Sequence, residues 1–134
     1  MSEATGVDPR LPAPDRDSQA WWDALARHEF VLQRCDGCQT WRWPPREICN
    51  RCGSFDSTWT PACGLGSVTA WVVNKNAFLP GFEIPYVVIN VRLDEQEDCK
   101  LLGSFRGPSE ALRAGLRVRA VFEDVGEGAT LLGW

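Results

Sequence analysis

The chain has 134 residues, 44% of them hydrophobic and 24% charged, with a formal net charge of −4. That is room for one globular domain plus a small appendage. The mild acidity argues against a default binder of nucleic acid or anionic membrane, since both demand a basic footprint. No apolar run approaches the roughly 18 residues of a membrane-spanning helix.

Residues 1–16 read as a flexible tail, with Pro9, Pro12 and Pro14 among charged residues. Met1 to Asp17 has no apolar stretch like that of a secretion signal. Six cysteines without such a signal lead us to expect a reducing cytoplasm. Asp17 or Ser18 is the candidate N-cap of a helix reaching about His28. Trp22, Leu25 and Ala26 fall at i, i+3 and i+4 and predict its apolar face, with Trp21 beside it.

From Phe30 the period changes to alternation, a short strand that leads into Cys35-Asp36-Gly37-Cys38. A second pair follows at Cys49-Asn50-Arg51-Cys52. Two residues between cysteines let a tight turn aim both sulfurs at one point, and two such turns supply the tetrahedron of a closed structural zinc site. Cys35, Cys38, Cys49 and Cys52 are therefore the predicted metal ligands. Spacing alone leaves iron open, because iron accepts the same four thiolates. A closed tetrathiolate has no position for water or substrate, so the motif predicts architecture rather than metal catalysis. Between the pairs, Trp41-Arg42-Trp43 is strand-like and Pro44-Pro45-Arg46 bends the chain back. Gly53 suits a left-handed turn closing the second knuckle.

Beyond the cysteines the chain reads as all-β. Strands are expected over 55–60, 67–74, 86–93, 100–105, 116–122 and 129–134. Turns are expected at Gly64-Leu65-Gly66 and Leu79-Pro80-Gly81-Phe82, and a helical turn or two over 109–114. The acidic run Asp94-Glu95-Gln96-Glu97-Asp98 reads as a solvated hairpin tip. Cys63 and Cys99 read as buried apolar residues. Five or six strands in this length, with a short helix before the penultimate one, predict a five-stranded OB-fold barrel. The expected organisation is mainly β: a tail at 1–16, an N-terminal helix and zinc ribbon at 17–60, and a barrel at 61–134.

The stretches Gln33-Arg34-Cys35-Asp36-Gly37-Cys38, Pro44-Pro45-Arg46-Glu47-Ile48-Cys49, Cys52-Gly53-Ser54 and Gly64-Leu65-Gly66-Ser67-Val68 come in a particular order. With the late Gly115-Leu116-Arg117-Val118, this order resembles the family known as domain of unknown function 35, a rubredoxin-like zinc ribbon followed by an OB fold. The resemblance covers about residues 17–134. It implies an accessory subunit that docks on a thiolase-fold acyl-CoA enzyme: an aldolase that shortens steroid side chains, a thiolase or an acyltransferase. It also implies a two-plus-two assembly, with the acyl-CoA bound jointly and the chemistry carried by the partner.

The residues agree with a non-catalytic role. His28 is the lone histidine, and no nucleophile elbow, P-loop or dinucleotide fingerprint occurs. Trp21, Trp22, Trp41 and Trp43 are the candidate docking anchors, since tryptophan is favoured at interface centres; core packing is the plainer reading. Arg34, Arg42, Arg46 and Arg51 are candidates for CoA phosphates, because guanidinium forks pair with phosphate; ion pairing is the plainer reading. The alternative function is a module for single-stranded nucleic acid, which OB folds bind by stacking bases in a basic groove. Against it, Lys75, Arg92 and Lys100 are scattered and Trp71 is the clearest aromatic on the strands.

Overall fold

Helix α1 (Gln19–Ala26) is the first element of the fold in the computed structural model, which describes residues 11–76 and 84–134. The expected turn at 79–82 and most of the N-terminal tail lie outside the described residues. Helix α1 buries Trp21, Ala24 and Leu25. This face is turned by one residue from the expected Trp22, Leu25 and Ala26. Trp21, not Trp22, has rings to meet: Trp43 at 4.5 Å between centroids and Phe30 at 5.8 Å. The helix also stops earlier than expected. His28 takes φ 58 and its amide donates to the Leu25 carbonyl, so the chain turns and carries Phe30 inward. Ser18 flanks the helix as expected but makes no side-chain cap. Its hydroxyl donates instead to Asp15 Oδ1 at 2.7 Å.

Three antiparallel strands form the ribbon: β1 (Val31–Cys35), β2 (Trp41–Arg42) and β3 (Ser57–Pro61), in the order β2-β1-β3. The short link Ala62-Cys63-Gly64 leads to the barrel. Gly64 makes the turn at φ 74, while Leu65 and Gly66, expected in that turn, already belong to β4 (Leu65–Asn74). The remaining strands are β5 (Tyr86–Leu93), β6 (Lys100–Ser104), β7 (Arg117–Arg119), β8 (Val121–Gly126) and β9 (Ala129–Gly133). The helical turn expected over 109–114 is a single 3-10 turn at Ser109–Ala111.

The sheet order is β7-β4-β5-β6-β9-β8. The strand expected over 116–122 is divided at Ala120, whose amide donates to Gly64 O at 2.8 Å. One half pairs with β4 and the other with β9. The two ends of the sheet are thus one continuous piece of chain, and the sheet closes on itself. Counted that way the described residues form five strands, with β6 and β9 parallel and the other pairs antiparallel. This is an OB-fold barrel.

A single core runs through both halves. Val68, Ile89, Val91, Leu93, Leu101 and Trp134 from the barrel pack with Trp21, Leu25, Phe30, Leu32 and Trp41 from the helix and ribbon. The acidic run 94–98 is the largely exposed tip of the β5–β6 hairpin, as expected, and it also works as a clasp. The Gln96 side chain meets the Trp41 backbone from both sides, accepting its N–H at 2.9 Å and donating to its carbonyl at 3.0 Å. Asp98 pairs with Arg51 of the second knuckle at 2.8 Å, and Asp94 with Arg117 of β7. Cys99 is buried as expected. Cys63 is not: it sits exposed on the link, its amide held by Glu95.

Candidate metal centre

The two knuckles share one backbone scheme. In the first, the Cys35 amide donates to the Thr40 carbonyl at 2.9 Å and the Gln39 amide donates to the Cys35 carbonyl at 2.9 Å. In the second, the Cys49 amide donates to Ser54 O at 2.9 Å and the Gly53 amide to Cys49 O at 3.0 Å. Each turn needs a left-handed residue four places after its first cysteine. Gly53 supplies it at φ 78, as expected, and Gln39 supplies it at φ 66 without glycine's freedom.

The knuckles face each other across a tight gap. All four sulfurs lie within 4.8 Å of one another, with Cys35 Sγ 3.5 Å from Cys52 Sγ and Cys38 Sγ 3.6 Å from Cys49 Sγ. A tetrahedron with zinc–sulfur bonds of about 2.3 Å has edges of about 3.8 Å, so the residues fit the ion. Cys35 and Cys49 are buried, and Cys38 and Cys52 are exposed. Backbone amides point at the inner sulfurs: Cys38 N–H toward Cys35 Sγ at 3.5 Å and Arg51 N–H toward Cys49 Sγ at 3.4 Å. The amides of Cys52 and Arg51 pull the Cys49 thiol down to about 6, and the Cys38 amide lowers Cys35. At Cys52 the Ser54 amide pulls downward, but the Cys35 thiol and burial prevail and push it up to about 11. A set of amides aimed at sulfur stabilises thiolates, the form that binds metal.

A second feature lies between α1, the ribbon and the outside of the barrel. It is an open, mainly apolar cavity of about 450 Å³ whose walls include Trp21, Trp22, Trp43, Leu102 and Leu132. The structure thus brings together three of the four candidate docking tryptophans. Trp41 is not among them. It is buried, clasped by Gln96 and covered by Arg34, whose guanidinium lies 4.8 Å above its ring.

Family models for "ChsH2, rubredoxin-like zinc ribbon domain" and "ChsH2, C-terminal OB-fold domain" match residues 22–58 and 59–123. A chain of the solved Ltp2-ChsH2(DUF35) aldolase superposes with a TM-score of 0.84 at 34% identity, covering 91% of this chain and 95% of that one. The chain belongs to the ChsH2-type DUF35 family. A DUF35 protein of unknown function from Sulfolobus solfataricus shares the fold, with a TM-score of 0.56 at 14% identity over 80% of this chain and 77% of that one. Among curated proteins, the "probable enoyl-CoA hydratase alpha subunit" of Thermomonospora curvata is 43% identical over 63% of this chain and 26% of its own length. The "3-oxo-4,17-pregnadiene-20-carboxyl-CoA hydratase alpha subunit" of Mycobacterium tuberculosis is 33% identical over 84% of this chain and 36% of its own. This chain therefore spans about a quarter to a third of those relatives.

Within this DUF35 chain the four candidate arginines do four separate tasks. Arg42 is 1% exposed, and its Nη1 donates to the Arg46 carbonyl at 2.8 Å. That corrects its reading as a phosphate contact: its side chain lies inside the ribbon, where it holds the bend after Pro44-Pro45. Arg34 donates to Gln39 O at 2.9 Å and so also props the left-handed turn of the first knuckle. Arg46 reaches Asn50, and its backbone amide is clamped by Gln33 Oε1 at 2.9 Å. Arg51 pairs with Asp98 and stays half exposed. Gln33 and Gln96 fix the backbone around the ribbon, a role that residue type does not mark, although Gln33 opens one of the stretches that carry the family resemblance. His28 stacks on Phe122 and lies 3.0 Å from Asp124, away from the thiols. Among the described residues no helix is long and apolar enough to cross a membrane.

Proposed function

We propose that this chain is a non-catalytic accessory subunit that docks on and supports a thiolase-like acyl-CoA enzyme. The observation that carries the reading is its 34% identity, over nearly its whole length, to a chain of an aldolase named for two components. Steroid side-chain cleavage is the reaction we favour for the partner, because a curated relative is named for a steroid acyl-CoA. Thiolysis and acyl transfer are the other chemistries of that class.

In this reading zinc is held by Cys35, Cys38, Cys49 and Cys52. When bound it supplies structure rather than reaction chemistry, since four thiolates fill its coordination shell. The chain's own residues shape the knuckles and present the cavity walled by Trp21, Trp22 and Trp43 to the partner. Tryptophans around an apolar hollow are the composition of an interface centre. The acyl-CoA is bound jointly with the partner, with Arg34, Arg46 and Arg51 offering guanidinium groups for its phosphates. The complex is a two-plus-two assembly in the cytoplasm, where thiols remain available to metal.

The test is a pull-down of the tagged chain from its native cell, with copurifying proteins identified by mass spectrometry. A thiolase-like protein at near-equal amount is the expected result. Recovery of the chain alone, or with nucleic acid, overturns the reading.

A further inference from the structure

Strand β4 outruns β7, its neighbour on one side. β7 pairs only with Leu65, Gly66 and Ser67, and Val68 still exchanges hydrogen bonds with Leu116 and Gly115 at 2.9 and 2.8 Å. Beyond the bulge at Thr69, residues Ala70 to Asn74 pair with β5 from Asn90 to Tyr86 and with no other described strand. One edge of this arm is a row of backbone donors and acceptors without a strand partner among the described residues. Three of its side chains are large, apolar and exposed: Trp71 40%, Val72 65% and Val73 40%.

Open edges of natural sheets are guarded by lysine, proline or inward charges. This one is not, for Leu65 to Asn74 contains no charged residue and no proline. An unguarded, uncharged edge fits an extended, uncharged segment, since any charge placed against it would be desolvated without a counterion. Its outer face also continues the tryptophan cavity. Ala70 and Val72 lie opposite Asn90 and Val88, Asn90 lies opposite Leu102, and both Val88 and Leu102 wall the cavity. A second copy that pairs through this edge alone covers a strip of about 17 Å by about 10 Å, on the order of 170 Å², short of the roughly 800 Å² per partner of a stable interface. A larger partner seated over the cavity reaches that area and meets the edge as well.

We propose that residues 70–74 of β4 receive an uncharged extended strand from the thiolase-like partner, adding a strand to the barrel sheet. The inference rests on the accessory-subunit reading. Its test uses the full chain and the purified thiolase-like protein recovered by the pull-down. Hydrogen exchange at the amides of 70–74 is expected to slow at least tenfold in the complex. Val72→Lys, which charges the edge at its most exposed residue, is expected to weaken the complex at least tenfold, with zinc content and melting temperature retained. Binding with unchanged exchange at 70–74, or full-strength binding by Val72→Lys, overturns the strand addition and leaves the accessory role standing. Equal protection in the isolated chain, with a doubled mass in sedimentation, assigns the edge to a second copy and also overturns it. Failure to recover a thiolase-like protein with the unaltered chain overturns both readings together.

Discussion

The ribbon hangs three short strands on four sulfurs, while the barrel wraps its strands around Val68, Ile89, Val91 and Leu101, all nearly inaccessible. Strand β2 has two residues, too few to hold a sheet by pairing. Its place is fixed from outside: by the knuckle behind it, by Gln96 on the Trp41 backbone and by Arg34 over the ring. A small module can therefore keep a definite shape with little apolar volume, provided that coordination and side-chain clasps replace burial.

Removal of zinc is expected to have the largest effect. Metal binding to a small tetrathiolate site is worth on the order of 10 kcal/mol of folding free energy. Chelation, or Cys49→Ser, should abolish zinc binding and release the ribbon amides to hydrogen exchange, while amides of β4, β5 and β6 stay protected. Loss of protection in both halves together would mean that the common core, through Phe30, Leu32 and Trp41, makes them one cooperative unit. Next comes Ile89→Ala in the barrel core. Ile89 is 0% exposed, and such truncations cost about 2–5 kcal/mol. Urea unfolding should show that loss, with zinc content unchanged below the transition.

Gly103→Ala should cost less, about 1–3 kcal/mol by overpacking. A Cβ there meets Trp134 Cδ1 at 2.7 Å and Nε1 at 2.8 Å, so the indole must shift. Thermal unfolding checks it. The smallest effect is expected at Asp124, which joins the end of the helical segment to β8 through His28. The Thr130 hydroxyl, and after it His28, hold its carboxyl below the usual carboxylate range. A lowered carboxylate contributes stability above its unfolded pKa and loses it as pH falls through the folded value. The melting temperatures of the parent and of Asp124→Asn should therefore differ slightly near neutrality and converge in acid.

Much of this was legible in the chain. The four thiols, the left-handed turn at Gly53 and the alternation in β5 each arise from local spacing, so they survive reading without partners. The helix register was misread because both faces offer tryptophan, and the choice of Trp21 depends on Phe30 and Trp43, which lie outside the helix and meet it only once the ribbon folds back. The division at Ala120 was equally hidden, since alternation continues through a strand that changes partners. Arg42 shows the limit for sites: an arginine between two tryptophans reads as an exposed cation, and only the fold of Pro44-Pro45-Arg46 supplies the carbonyl that accepts it inside. The acidic run concealed its clasp because the working residue, Gln96, is the uncharged one.

The closure of the barrel by one shared segment bears on the order in which the molecule assembles. All strand pairings of the ribbon join residues between Val31 and Pro61, a short stretch of chain. On its β7 side, by contrast, Leu65 pairs with Arg119, far along the chain. Loops of such different length close at different rates, and remote pairings form late. During synthesis the knuckles can gather and load metal while the barrel is still an open sheet whose β4 edge waits for its strand. The ribbon then serves as a scaffold already in place when the second half of the chain arrives.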